Sequence, residues 1–178
     1  MGIVVTLVKW LLVLLVACVL GAYLLPASKH VERSREIAVP PERLWPLIAE
    51  PRQWTGWQPW YARDPTMKLS YSGAESGAGA QWAWDSTTEG RGRMAFESAE
   101  APRLLQFRLE FVDMGSVATG HFRLEPVGAG TRVTWAFDTH LGLNPLMRWS
   151  GLVLDRMVGR DFESGLDRLA ALVTRPVP

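Results

Sequence analysis

Two kinds of hydrophobic pattern divide the chain. Residues 10–25 form an uninterrupted apolar run of 16, and counting from Ile3 extends it to 23. About 20 such residues cross a hydrocarbon core of about 30 Å, so the pattern predicts a transmembrane helix through residues 3–25. Lys9 lies near one end, where its stem can run along the helix while its ammonium reaches the headgroups. Trp10 and Tyr23 stand at interfacial positions, and Pro26 closes the run. A buried helix of a soluble domain is the alternative. It would need an all-round apolar environment larger than a small domain supplies.

Beyond a short tether at residues 26–30 the period changes to two. Val31, Arg33, Arg35, Ile37 and Val39 share one set, which predicts an opening strand ended by Pro40 and Pro41. A short helix over 41–49 follows, with Pro41 in its first turn and Leu44, Trp45 and Ile48 on one face. Trp54, Trp57, Trp60 and Tyr61 crowd the next segment, as plugs of a core edge or as the mouth of a ligand cavity. Strand candidates then recur at 67–71, 80–85, 89–97, 105–111, 120–125 and 133–138, separated by Gly- and Pro-rich turns. Their connections are too short for crossover helices, which predicts antiparallel pairing.

Asn144 and Pro145 open a long terminal helix reaching about Val173. Its predicted apolar stripe is Leu146, Trp149, Val153 and Met157, continued by Phe162, Leu166, Leu169 and Val173. Arg148, Arg156, Arg160, Glu163, Asp167 and Arg168 are expected to be solvated. A one-face sheet and a one-stripe helix bury each other by packing together. Gly151, Gly159 and Gly165 lower intrinsic helicity, and they also allow close approach.

Length and charge sharpen this division. The 178 residues suit one domain plus an appendage. Setting Lys9 and Lys29 apart from the 19 basic residues leaves 17 against 18 acidic ones in residues 31–178, so the domain has no positive excess with which to hold nucleic acid. Lys29, Arg33 and Arg35 outnumber Lys9 and the terminal amine, which favours a cytoplasmic domain on a single-pass cell-membrane protein. Cys18 is the single cysteine, so an intramolecular disulfide and multi-cysteine metal sites are excluded. Residues 15–18 look like a lipoprotein box, but Val19, Leu20 and Gly21 continue the apolar helix. Residues 25–28 are a poor signal-cleavage site, and Gly2 with Thr6 fits only a sparse myristoylation pattern.

The order of elements resembles the START-like superfamily of polyketide cyclase/dehydrase and lipid-transport-like proteins, also called SRPBCC. The residues carrying the resemblance are the strand and double proline over 33–45, the Trp54-Thr55-Gly56-Trp57-Gln58-Pro59-Trp60 segment, the Gly77-Ala78-Gly79-Ala80 hairpin and the terminal helix. Small bacterial members with an N-terminal membrane helix are especially similar. The resemblance implies an α+β helix-grip fold, a curved antiparallel sheet wrapped around a long C-terminal helix and preceded by a transmembrane helix. Residues 1–30 would be anchor and tether, 31–174 the START-like domain and 175–178 a tail. It also implies that Trp57 and Trp60 sit near one end of a cavity whose walls include Trp82, Trp84, Phe107, Phe122 and Trp135.

Reaction chemistry is sparse. His121 and His140 belong to no His-Glu-x-x-His motif, Ser150 lacks the Gly-x-Ser-x-Gly elbow, and Gly77-x-Gly79 lacks the third glycine of a dinucleotide site. No cofactor, metal site or catalytic residue is assigned. Asp138 and His140 are the one acid–base pair the spacing offers, and Arg91, Arg93 and Arg108 could attract an acidic ligand if they converge. The expected function is a membrane-tethered domain binding a small hydrophobic or amphipathic ligand, lipid included, between sheet and helix. A cyclase-like or hydrolase-like enzyme using the same cavity is one alternative, and a membrane-associated protein-interaction or chaperone-like module is another.

Overall fold

The first and last strands of the sheet are neighbours. In the computed structural model, which describes residues 2–174, seven strands pair antiparallel in the order β1-β7-β6-β5-β4-β3-β2. They are β1 (Ser28–Ile37), β2 (Lys68–Gly73), β3 (Ala80–Ser86), β4 (Gly90–Glu100), β5 (Leu104–Phe111), β6 (Ser116–Val127) and β7 (Gly130–His140). The helices are α1 (Gly2–Ala22), α2 (Pro41–Ala49), α3 (Pro59–Arg63) and α4 (Pro145–Thr174), with a 3₁₀ turn over Pro51–Gly56 between α2 and α3. The expected tail at 175–178 lies outside the described residues.

Alternation works as the sequence suggests: Phe107, Phe122, Leu124, Val133, Trp135 and Phe137 all turn inward and are buried. Trp54, Trp57, Trp135, Phe96, Phe107 and Phe122 are fully buried. A ring of this size removes 150–250 Å² from water, about 4–6 kcal/mol of hydrophobic stabilisation each. Trp54 and Trp57 donate their indole N–H groups to the carbonyls of Ile48 and Leu47, at 2.8 and 3.0 Å, so the end of α2 is satisfied by the core itself.

β1 starts three residues earlier than alternation suggested. Ser28, Lys29 and His30 pair with His140, Thr139 and Asp138, so they belong to the sheet and not to a tether. A polar edge-strand end has no hydrophobic signature, and only its partner strand defines it. The strand also stops at Ile37 rather than Val39, and β2 spans Lys68–Gly73 rather than 67–71.

Helix α4 departs from its expected burial. Phe162, Leu166 and Leu169 are buried as predicted, but Leu146, Trp149, Val153 and Met157 are exposed, and Arg148 is buried. On the side facing the sheet, buried Gly151, Gly159 and Gly165 stand among the apolar Leu154, Val158, Phe162, Leu166 and Leu169. A Cβ at Gly159 would collide with the Arg33 guanidinium, and one at Gly165 would come within 2.9 Å of the Trp135 ring. Glycine there lets inward-facing side chains of β1 and β7 lie against the helix backbone. Arg33 pairs with Asp155 at 3.1 Å and Glu163 at 2.6 Å, and Arg35 with Asp167, which fastens β1 along α4.

Candidate functional site

Between the inner sheet face and helices α3 and α4 lies a cavity of about 180 Å³. Trp82 and Trp84 reach it from β3, Met94 from β4, Phe107, Leu109 and Phe111 from β5, and Trp135 and Phe137 from β7. Val158, Asp161 and Phe162 close it from α4, and Gln58 and Trp60 from the segment entering α3. Trp135 and Phe162 stack across the strand–helix boundary, and Trp60 meets Trp135 edge-on with ring centroids 5.7 Å apart. The half-exposed members, Trp84, Glu89, Leu109, Phe111, Val158 and Asp161, mark where the cavity opens.

Four buried polar atoms of cavity-lining residues have no protein partner: Gln58 Nε2 and Oε1, Trp82 Nε1 and Trp135 Nε1. Native structures pair nearly all buried polar groups, because an unmet donor or acceptor costs about 1–3 kcal/mol. The indoles of Trp54, Trp57 and Trp60, by contrast, are all hydrogen-bonded.

The opening is bridged by charge. Arg63 at the end of α3 donates to Glu89 Oε1 at 2.8 Å and to Asp161 Oδ1 at 2.6 Å, while Trp60 Nε1 donates to Asp161 Oδ2 at 3.0 Å. Glu89 follows a turn organised by Asp64. The Asp64 carboxylate accepts from Ser86 Oγ and Thr66 Oγ1, and these bonds, Ser86 foremost, hold its pKa below the usual carboxylate value.

Of the residues expected at the cavity, Trp60, Trp82, Trp84, Phe107 and Trp135 line it together. Trp57 and Phe122 lie behind the wall, fully buried, their rings 6.0 Å apart and edge-on. Among the lining residues not expected is Gln58, between Trp57 and Trp60 in sequence, whose signal was a lone amide inside an aromatic segment.

The acid–base pair anticipated between Asp138 and His140 does not form. Asp138 instead accepts from His30 Nδ1 at 2.8 Å on the outer sheet face, because β1 extends far enough to bring His30 opposite it. Arg91 and Arg93 do not converge on a ligand either: Arg91 pairs with Asp113, and Arg93 and Arg108 both pair with Glu110. Among the described residues no group of three or more His, Cys, Asp and Glu is placed to hold a metal ion.

A seven-stranded curved antiparallel sheet closed by a long C-terminal helix over an aromatic cavity is the helix-grip, START-like architecture. The sequence profile of the polyketide cyclase / dehydrase and lipid transport family matches residues 28–174, and the chain belongs to that family. The match begins at Ser28, the first residue of β1. Solved structures agree on the fold. A protein of Chromobacterium violaceum superposes with a TM-score of 0.60 at 14% identity, covering 83% of this chain and 98% of its own. One of Mesorhizobium loti gives 0.61 at 18%, covering 84% and 100%. Norcoclaurine synthase of Thalictrum flavum, in complex with dopamine and hydroxybenzaldehyde, gives 0.61 at 13%, covering 84% and 90%. At these identities the likeness is one of fold. No curated protein sequence matches the chain.

Proposed function

We propose that the chain is a membrane-anchored binding protein for a small amphipathic molecule, held in the cavity between sheet and α4. The observation that carries this is an aromatic cavity whose lining residues Gln58, Trp82 and Trp135 hold buried polar atoms with no protein partner. Two indole N–H donors call for an acceptor oxygen, and the Gln58 amide supplies both a donor and an acceptor. The ligand therefore has an apolar body and an uncharged or carbonyl-bearing polar end.

Size narrows the class. A cavity of about 180 Å³ is below the 300–1,000 Å³ of drug-sized pockets. A single ring or short acyl chain fits, and an intact two-chain lipid does not. The single-ring compounds in the norcoclaurine synthase complex are of this class. Both carboxylates of the lining, Glu89 and Asp161, are engaged by Arg63, which supports binding over acid–base chemistry.

Helix α1 is 21 residues long, about 31 Å at 1.5 Å per residue, and it is apolar enough to span a bilayer. Its side chains are almost all exposed, as they would be to lipid. Alkaline carbonate extraction tests the anchor, which requires the full chain to stay with membranes.

The binding test is titration of the detergent-solubilised full chain with phenol, 4-hydroxybenzaldehyde and hexanoic acid, read by tryptophan fluorescence and ligand-observed NMR. Saturable binding weakened about tenfold by Gln58→Leu is expected, from loss of one or two buried hydrogen bonds. Absence of saturable binding by all three compounds overturns the reading.

A further inference from the structure

The exposed apolar side chains of the domain are not scattered. Leaving out α1, every large exposed hydrophobic residue described except Val127 belongs to one end of the sheet or to the helix leaving it. The registers define that end: β1 begins there with Ser28 opposite His140, and β5 turns into β6 there with Phe111 opposite Ser116. Val112, Met114 and Val117 come from that turn, Tyr23 and Leu24 from the end of α1, and Leu143 from the approach to α4.

The stripe on α4 runs on from it. Leu146, Trp149, Val153 and Met157 stand on successive turns, with exposures of 77%, 40%, 51% and 64%. Farther along the same helix the exposed positions become polar, with Arg160, Glu163, Asp167 and Arg168. The exposed Arg156 and Arg160 flank the end of the stripe and have no acidic partner among the described residues.

This patch is continuous with α1. Trp149 Nε1 donates to the Cys18 carbonyl at 3.0 Å, and its ring lies over Gly21, so α4 begins against the last turns of α1. Tyr23 Oη donates to the Leu143 carbonyl at 3.1 Å, and buried Arg148 donates to the carbonyls of Leu25 and Gly142. A helix crossing the bilayer up to Ala22 therefore carries Trp149 at the depth of the interface.

We infer that the first half of α4 and the turn after β5 lie in the membrane interface, apolar stripe in lipid and Arg156 and Arg160 at the phosphates. This rests on the reading of α1 as a membrane anchor. The geometry is that of an interfacial amphipathic helix, whose apolar face sinks about 5–10 Å into the headgroup boundary. It also places the cavity opening at the bilayer surface. Two half-exposed lining residues, Phe111 and Val158, directly adjoin Val112 and Met157 of the patch. An amphipathic ligand can then exchange with the interface without crossing bulk water.

The test uses the full chain with Cys18→Ala, reconstituted in vesicles of phosphatidylcholine and phosphatidylglycerol. Single cysteines Val153→Cys, Met157→Cys, Met114→Cys, Leu12→Cys and Val127→Cys carry an environment-sensitive fluorophore. Expected is severalfold weaker quenching by aqueous iodide at 114, 153 and 157 than at 127, with strong quenching there by lipids bearing a shallow nitroxide. Iodide access at 153 and 157 with lipid quenching at 12 overturns the seating while the anchor stands. Iodide access at 12 as well overturns the anchor and the seating together. Shielding from iodide without lipid quenching at 153 and 157 overturns the proposal in favour of a second copy of the chain. All labelled positions in the domain are exposed, and unaltered tryptophan emission verifies the fold of each variant.

Discussion

The indole of Trp135 lies flat on the ring of Phe162, centroids 4.1 Å apart and planes 11° from parallel, so one side of the cavity is a strand-to-helix stack. The Trp135 indole N–H is buried without a protein partner, so one side chain carries both a packing contact and an unmet donor. The two roles separate by substitution. Phe162→Ala is expected to cost about 3–5 kcal/mol in chemical denaturation, as removal of a buried ring does. Trp135→Phe keeps a ring on the stack and is expected to lower ligand affinity more than stability. Equal loss of both in Trp135→Phe would show that the N–H makes no contact with ligand.

Arg63 holds the cavity opening by joining Glu89 on one side to Asp161 on the other. Its side chain is 45% exposed, so the pairs are worth at most about 1 kcal/mol of stability. Arg63→Ala is expected to leave the unfolding midpoint nearly unchanged while releasing bound 4-hydroxybenzaldehyde severalfold faster in stopped-flow displacement. An unchanged release rate in a folded variant refutes the clasp.

Two histidines on the outer face respond to pH with opposite sign. The hydrogen bond to Asp138 raises the His30 pKa above its ordinary value of about 6.5, whereas burial, with Arg123 nearby, lowers that of His121. The His30 contribution to stability is fully present below about 6.5 and disappears as pH rises through the raised value. That of His121 is present above about 6.5 and disappears as pH falls through the lowered value. NMR titration of the ring protons is expected to show His30 above His121, with Asp138→Asn bringing His30 down. The reverse order in the unmodified chain would contradict the pairing.

Arg148 ties the segment after α1 to the domain through carbonyl oxygens, without a carboxylate. Its Nε–H reaches Gly142 at 2.9 Å and Nη1–H reaches Leu25 at 3.1 Å, with the guanidinium 5.3 Å from the centre of the Tyr23 ring. Arg148→Met fills similar space but leaves those carbonyls unpaired, at an expected cost of about 1.5–3 kcal/mol. Limited proteolysis is expected to cut residues 23–27 faster in that variant and not in Arg156→Met.

The strands and their inward faces were legible because alternation reports burial directly: Leu105, Phe107 and Leu109 could face inward only together. The apolar helix α1 was legible for a similar reason, since an unbroken apolar run needs no tertiary partner to be recognised. Where a polar residue belonged to the interior, local pattern failed. Arg148 reads as solvated, and Leu146 to Met157 reads as a core stripe, because in the first half of α4 the sheet-facing side carries Gly151 and Gly159 beside only Leu154 and Val158. Arg33 and Trp135 supply the bulk on that side, and they are distant in sequence.

The division between core and cavity likewise belongs to tertiary structure. Trp57 and Trp60 stand three residues apart in one aromatic segment, yet one is locked behind the wall and the other forms it. The sequence by itself determined an apolar N-terminal helix long enough to span a bilayer, a one-faced antiparallel sheet, a closing helix and an aromatic-rich interior. Only the packing of α3 and α4 on β3–β7 decided which rings meet empty space and which indoles lack a partner. The physical reason is that periodicity records how one segment meets its surroundings, whereas a cavity is the gap left between several segments.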